Sequence, residues 1–287
     1  MQASDDLSST GAFLRAIAPL TGFLRVVESI DAEPGWTGRA ALMRPDEGAL
    51  AAILARVAAP ELGEAGSRKA ASAWFMLRFG WSCGPAIAGY LVFNRVIRFD
   101  DYALKLPPGG QLDAVCLQAA TLCTPAGSGS RRARLLAELV DYIRPVLDAQ
   151  HHWSGASRGA LWALVTSSWA SHFVHMGQQL GDEQRGRREA EACFAVVPHI
   201  HRAAPTLFTV AGGGFEGVCQ VRRSCCRNHR RSGGQYCSSC PLLAENERLG
   251  RYQQWVATRP LRRVAGLAFA TPPDDAAGES SAAPRPQ

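Results

Sequence analysis

The sequence predicts a mainly α-helical α+β fold: a helical body with a small β-hairpin or sheet, followed by a C-terminal four-cysteine module. Three observations carry this expectation. Long segments between residues 46 and 197 repeat apolar residues at helical spacing, residues 96–117 switch to short apolar runs around Pro107, Pro108, Gly109 and Gly110, and Cys225, Cys226, Cys237 and Cys240 gather near the C-terminus. With 287 residues, the chain can bury a substantial core without covalent staples.

The elements follow in order. Residues 1–9 are polar and acidic and are expected to be disordered. Leu50, Ile53, Leu54 and Val57 form a helical stripe in 46–58, and 72–93 continues as buried helical segments interrupted by Gly80, Gly84 and Pro85. The runs in 96–117 read as two strands joined by a turn. Leu135, Leu136, Leu139, Val140, Ile143, Val146 and Leu147 mark a helix over 131–150, which Pro145 is expected to kink or end early. Helices are predicted over 160–179, with Leu161, Leu164, Val165, Trp169, Phe173 and Met176 on one face, and over 183–197, ending before Pro198. No repeat or long linker divides the chain. The body is expected over 10–211 and the module over 212–270, with the boundary near Gly212 to Gly214. Residues 242–257 predict a closing helix with Pro241 at its first turn, and the Pro-, Ala- and Ser-rich tail 271–287 is expected to be disordered.

Composition excludes several classes. Nine cysteines, an odd number without dense even spacing, argue against a disulfide framework. The opening MQASDDLSST lacks the positive and then apolar pattern of a secretory signal, so a cytoplasmic protein is expected. The longest apolar stretch, within 86–97, falls short of the roughly 20 residues that span a bilayer. The net charge of +6 is modest, and much of it is local: Arg222, Arg223, Arg227, Arg230 and Arg231 crowd around the cysteine pair. Such a run suits nucleic acid or anionic lipid, but arginines also compensate an anionic thiolate site, which is the better fit. No G-x-G-x-x-G opens a helix after a strand, so a nucleotide cofactor is not expected.

The chemistry lies in RRSCCRNHRRSGGQYCSSCPLL. Cys225 and Cys226 are adjacent, ten residues follow, and then Cys237 and Cys240 enclose two more. Four thiolates suit a ferredoxin-type cluster and also a structural zinc ion. Adjacent α-carbons sit about 3.8 Å apart, so two neighbouring side chains converge less easily on one tetrahedral ion than on a two-iron core. Zinc, free thiols and a disulfide remain as alternatives. Four thiolates and two sulfides around two ferric ions sum to minus two, a charge that nearby arginines and backbone N–H groups would offset.

This pattern, with Arg222, Arg223 and Ser224 before the pair and Pro241 and Leu242 after the last cysteine, resembles the FhuF-type ferric siderophore reductases; the resemblance covers 222–243. It implies a four-cysteine iron-sulfur module in which Cys225, Cys226, Cys237 and Cys240 hold a 2Fe-2S cluster. It also implies one-electron reduction of iron(III) held by a siderophore, of the hydroxamate type, with no catalytic residue beyond the cluster. His229 departs from the aromatic residue expected there. The partners so implied are the ferric siderophore and a separate electron donor, without nucleic acid and with room for peripheral contact at the inner membrane. Arg223 and Arg227, closest in sequence to the ligands, are the candidate contacts for substrate or donor. Two other readings stay open: a zinc-stabilised binding module whose arginines contact nucleic acid or a protein, and an iron-sulfur sensor of redox or iron status.

Other polar residues have plainer readings. Cys219 reads as a spare thiol, and Cys83, Cys116, Cys123 and Cys193 as small core residues. His172 and His175, beside Trp169, Phe173 and Met176, read as interior histidines or pocket walls, and His151 and His152 as a helix end. His199 and His201 lack a third ligand nearby. Trp74, Trp81, Trp162 and Trp169 are core candidates, some of which would wall a cleft for a bulky ligand.

Overall fold

The computed structural model describes residues 9–21, 24–58, 62–107, 112–124, 128–230, 234–260 and 262–270. Both expected disordered tails lie outside the described residues, apart from Ser9. Its Oγ accepts from the Ala12 N–H at 3.2 Å and so caps the first helix.

In chain order the elements are α1 (Thr10–Ile17), β1 (Arg25–Val27), β2 (Trp36–Gly38), α2 (Arg39–Leu42), α3 (Gly48–Arg56), α4 (Gly63–Phe79), a 3-10 turn (Gly80–Cys83), α5 (Gly84–Phe93), β3 (Val96–Lys105), β4 (Ala114–Cys123), α6 (Ser128–Ser154), α7 (Arg158–Gln179), α8 (Glu183–Ala195), α9 (Pro198–Ala203), β5 (Thr206–Gly212), β6 (Phe215–Val221) and α10 (Glu245–Thr258). The expected hairpin is β3 and β4, which pair antiparallel from Val96 opposite Cys123 to Lys105 opposite Ala114. Short β1 and β2 extend it to a four-stranded sheet of order β1-β4-β3-β2, with β1 parallel to β4. The residues of its expected turn fall partly outside the described ones.

Helix α7 is central, and α4, α5, α6, α8 and α9 all pack on it. It starts where Ser157 Oγ accepts from the Ala160 N–H at 3.2 Å, and it buries Trp169 and Phe173 completely. Helix α8 crosses it closely: a Cβ on Gly186 would stand 2.3 Å from the Phe173 carbonyl oxygen, so glycine is required by the approach.

Two sequence expectations are corrected. Pro145 does not end its helix early, because α6 runs through it to Ser154. The cost of an interior proline, about 3 kcal/mol, is offset by the seven stripe residues from Leu135 to Leu147, all buried, at about 1.5–3 kcal/mol for each large aliphatic side chain. Pro241 does not open the closing helix. Residues 241–243 form a turn, and α10 begins at Glu245 after Ala244.

Strands β5 and β6 form a second hairpin that the sequence reading did not anticipate. The expected boundary, Gly212 to Gly214, lies at its tip. Helix α10 packs across this hairpin so tightly that a Cβ on Gly212 would stand 2.3 Å from the Gln253 carbonyl oxygen. The Tyr252 hydroxyl donates to the Gln220 carbonyl at 2.6 Å. Beyond β6 the chain runs directly into the cysteine segment.

Candidate metal centre

The site is assembled from two chain segments. Residues leaving β6 carry Arg222, Cys225 and Cys226, and a 3-10 turn at Asn228–Arg230 reverses the chain. The return loop carries Cys237 and Cys240, and its Ser239 carbonyl accepts from the Arg222 N–H at 3.0 Å. Arg248 of α10, itself buried, donates to the carbonyls of Cys240 at 3.4 Å and Leu243 at 3.2 Å. Arg251 donates to the Tyr236 carbonyl at 2.5 Å. The helix thus holds the return loop by its backbone oxygens, in a segment with little apolar surface to bury.

The four sulfurs meet as two pairs. Cys226 Sγ and Cys237 Sγ are 3.6 Å apart, and Cys225 Sγ and Cys240 Sγ are 3.7 Å apart. These are not disulfides, which need about 2.05 Å, and all the cysteines are free thiols. They do match the edge of a tetrahedron: with metal–sulfur bonds of about 2.3 Å, two ligands of one metal stand about 3.75 Å apart. Each pair has the spacing of two ligands on one metal, and two such pairs fit a binuclear cluster.

The pairs have different surroundings. Cys226 is buried against Ala73 of α4 and Leu164 of α7, with Cys237 beside it, so this pair faces the helical body. Arg222, only 3 % exposed, directs Nη2 at both sulfurs, 3.5 Å from Cys226 and closer to Cys237. The Cys226 thiol is pushed down to about 5, first by the hydrogen bond from Cys237 and further by the Arg222 charge. Cys237 is pushed up by the same shared hydrogen bond. In the other pair, burial pushes Cys225 up to about 11. Its Sγ accepts from the Arg227 N–H at 3.3 Å, which requires Arg227 to adopt a left-handed φ of 59°. His229 lies 3.7 Å from the same sulfur and stacks on Tyr236 with centroids 4.4 Å apart.

Residues 222–242 match the family model of the FhuF 2Fe-2S C-terminal domain. The cofactor of this segment is a 2Fe-2S cluster. No curated protein matches the chain. The matched segment covers all four cysteines and Arg222; the helical body lies outside it.

Of the remaining candidates, Arg223 is turned away from the sulfurs and donates to the Ala204 carbonyl at 3.0 Å. It is Arg222, read from sequence only as one of several compensating charges, that touches the thiolates; nothing local separates it from its neighbours, because burial selects it. Arg248 was not singled out at all. Cys219 is buried beside Val210, Tyr252 and Val256, with its thiol pushed up to about 12 by burial. His172 is fully buried, with Nε2 3.0 Å from the Trp81 carbonyl, and burial pushes it down to about 3. His151 and His152 end α6, and His199 and His201 lie on α9. Trp74, Trp162 and Trp169 are core, while Trp81 and His175 border a cleft beside the cysteine loop.

Proposed function

We propose that this protein reduces iron(III) bound by a siderophore, with Cys225, Cys226, Cys237 and Cys240 holding the cluster. The observation that carries the reading is the pairing of four sulfurs at metal-ligand spacing inside a segment matched to a 2Fe-2S domain. When bound, the cluster supplies one electron at a time. Hard oxygen donors such as hydroxamates hold Fe(III) strongly and Fe(II) weakly, so a single electron is enough to release the metal. The substrate iron gains that electron; no covalent bond is made and no proton need move.

The protein's own residues set the conditions. Arg222 places a buried positive charge against Cys226 and Cys237, favouring the more negative, reduced state. The Arg227 N–H does the same at Cys225 on a smaller scale. Ala73 and Leu164 exclude water from the body side. A separate protein or small reductant supplies the electron from outside. No helix among the described residues is long and apolar enough to cross a membrane, and the reading places the reaction in the cytoplasm, peripheral contact with the inner membrane being compatible with it, without a nucleic-acid partner.

Anaerobic purification with iron and sulfide analysis tests this. The expected result is about two irons and two sulfides per chain, a visible spectrum bleached by dithionite, and its return on adding a ferric hydroxamate complex. A reduced protein that ferric chelates leave bleached would overturn the reading.

A further inference from the structure

Beside the cysteine loop lies a cleft of about 450 Å³ between α7, the β5–β6 hairpin and α10, within the range of small-molecule sites, about 300–1,000 Å³. One wall is Ser238 and Ser239, the two residues between Cys237 and Cys240. The cleft and the metal centre therefore share a single loop.

The lining has a definite chemistry. Trp81, Tyr252 and Trp255 give it aromatic walls, and Trp255 stands at the rim 44 % exposed, with the Arg259 guanidinium over its ring at 4.8 Å. Its one carboxylate, Glu183, is neutralised: Arg259 reaches both of its oxygens at 2.7 Å, and both side chains are largely buried. His175, on the same wall, is pushed below its ordinary pKa by desolvation. Gln220 donates through Nε2 to Ser171 Oγ at 2.7 Å, yet its buried Oε1 has no hydrogen-bond partner among the described residues. Among the described residues neither Arg223 nor Arg227, the expected contacts, nor any other arginine or lysine lines the cleft, so a strongly anionic ligand would meet little counter-charge from them.

We infer that this cleft is the substrate site, and that it takes an uncharged ferric chelate with apolar faces, seated against the Cys237–Cys240 loop. The inference rests on the reductase reading and adds to it the location and charge class of the substrate. The electron passes from the reduced cluster to the chelated iron across that loop, leaving the cluster oxidised by one electron and the iron as Fe(II). The aromatic walls cover the hydrocarbon surface of the chelate.

Gallium(III) has the charge of iron(III) but does not accept the electron, so its chelates report binding apart from reduction. The test titrates the cluster-loaded protein with a neutral gallium trihydroxamate, following tryptophan fluorescence and heat. Ser171→Trp, which fills the cleft, and Trp255→Ala, at the exposed rim, are each expected to weaken binding about tenfold or more while retaining the visible spectrum of the cluster. A gallium tris-catecholate carrying three negative charges is expected to bind wild type at least about tenfold more weakly than the neutral complex. Unchanged affinity in Trp255→Ala, which needs no core repacking to fold, or equal affinity for the anionic complex, overturns the inference. The two readings fail separately: full cluster reoxidation by ferric chelate in both variants would remove the cleft and leave the reductase, whereas gallium binding lost in the variants with no reoxidation in wild type would keep the site and remove the reductase.

Discussion

The helical body and the cysteine module are held together by different forces. The body has a continuous apolar core in which Phe13, Phe79, Trp169 and Phe173 are almost completely buried. The hairpin and α10 share a small buried cluster of Val210, Cys219, Tyr252 and Val256 with Phe208 packed against it, and the loop of sulfurs is fixed by arginines donating to carbonyls and by the cysteines themselves. Burial scales with area and tolerates small changes of shape, whereas a few directional contacts fail together when one is removed. The contrast teaches that the body should stand without its cofactor and that the module should not.

The largest expected effect tests that division. Cys226→Ser should abolish the visible spectrum and let residues 222–243 exchange amide hydrogen rapidly while the far-ultraviolet helix signal persists, since metal binding in small modules supplies folding free energy on the order of 10 kcal/mol. Loss of body helicity in that variant would break the comparison.

The body has its own weakness, in acid. Buried His172 is neutral in the fold and pushed down from 6.5 to about 3, so between those values the unfolded chain binds a proton that the folded chain does not. Stability is complete above about pH 6.5 and falls as pH drops toward 3, by about 2 kcal/mol at pH 5. Urea unfolding at pH 7 and pH 5 in the Cys226→Ser background should show this loss, and His172→Asn should flatten it.

A smaller change sharpens the electrostatics of the module. Arg222→Gln keeps a donor but removes the buried charge, and the midpoint potential should fall by on the order of 60 mV, the one-electron equivalent of about 1.4 kcal/mol for a charged hydrogen bond. Spectroelectrochemical titration measures it; an unchanged potential with an intact cluster spectrum would remove Arg222 from tuning. The smallest effect concerns Arg227. Its left-handed φ of 59° costs about 1–2 kcal/mol for a residue with a Cβ, and Arg227→Gly should stabilise the loaded protein by up to about 1 kcal/mol, because glycine returns part of that gain as entropy. Thermal unfolding followed at the cluster absorbance reads the shift.

Legibility followed the range of the interaction. The helices around Leu50, Leu139 and Trp169 were readable because their stripes repeat every three or four residues, and β3 and β4 because turn residues separate two apolar runs. Three-residue β1 and β2 carry no pattern of their own; they are strands because β4 and β3 offer them free edges. Pro145 does not end α6, as the local rule allows, because the buried stripe of that helix outweighs the rule. The β5–β6 hairpin was missed at Gly212 to Gly214, where the glycines looked like a boundary instead of a turn.

By itself the sequence determined the 2Fe-2S class of the cofactor, since donor type and close spacing along the chain are local properties that survive any fold. Tertiary structure alone decided which sulfurs pair, that Arg222 and not Arg223 touches them, and that a neutral cleft shares their loop. Those facts depend on which side chains lose water together, and that is settled only when distant segments such as α4, α7 and α10 close over the site.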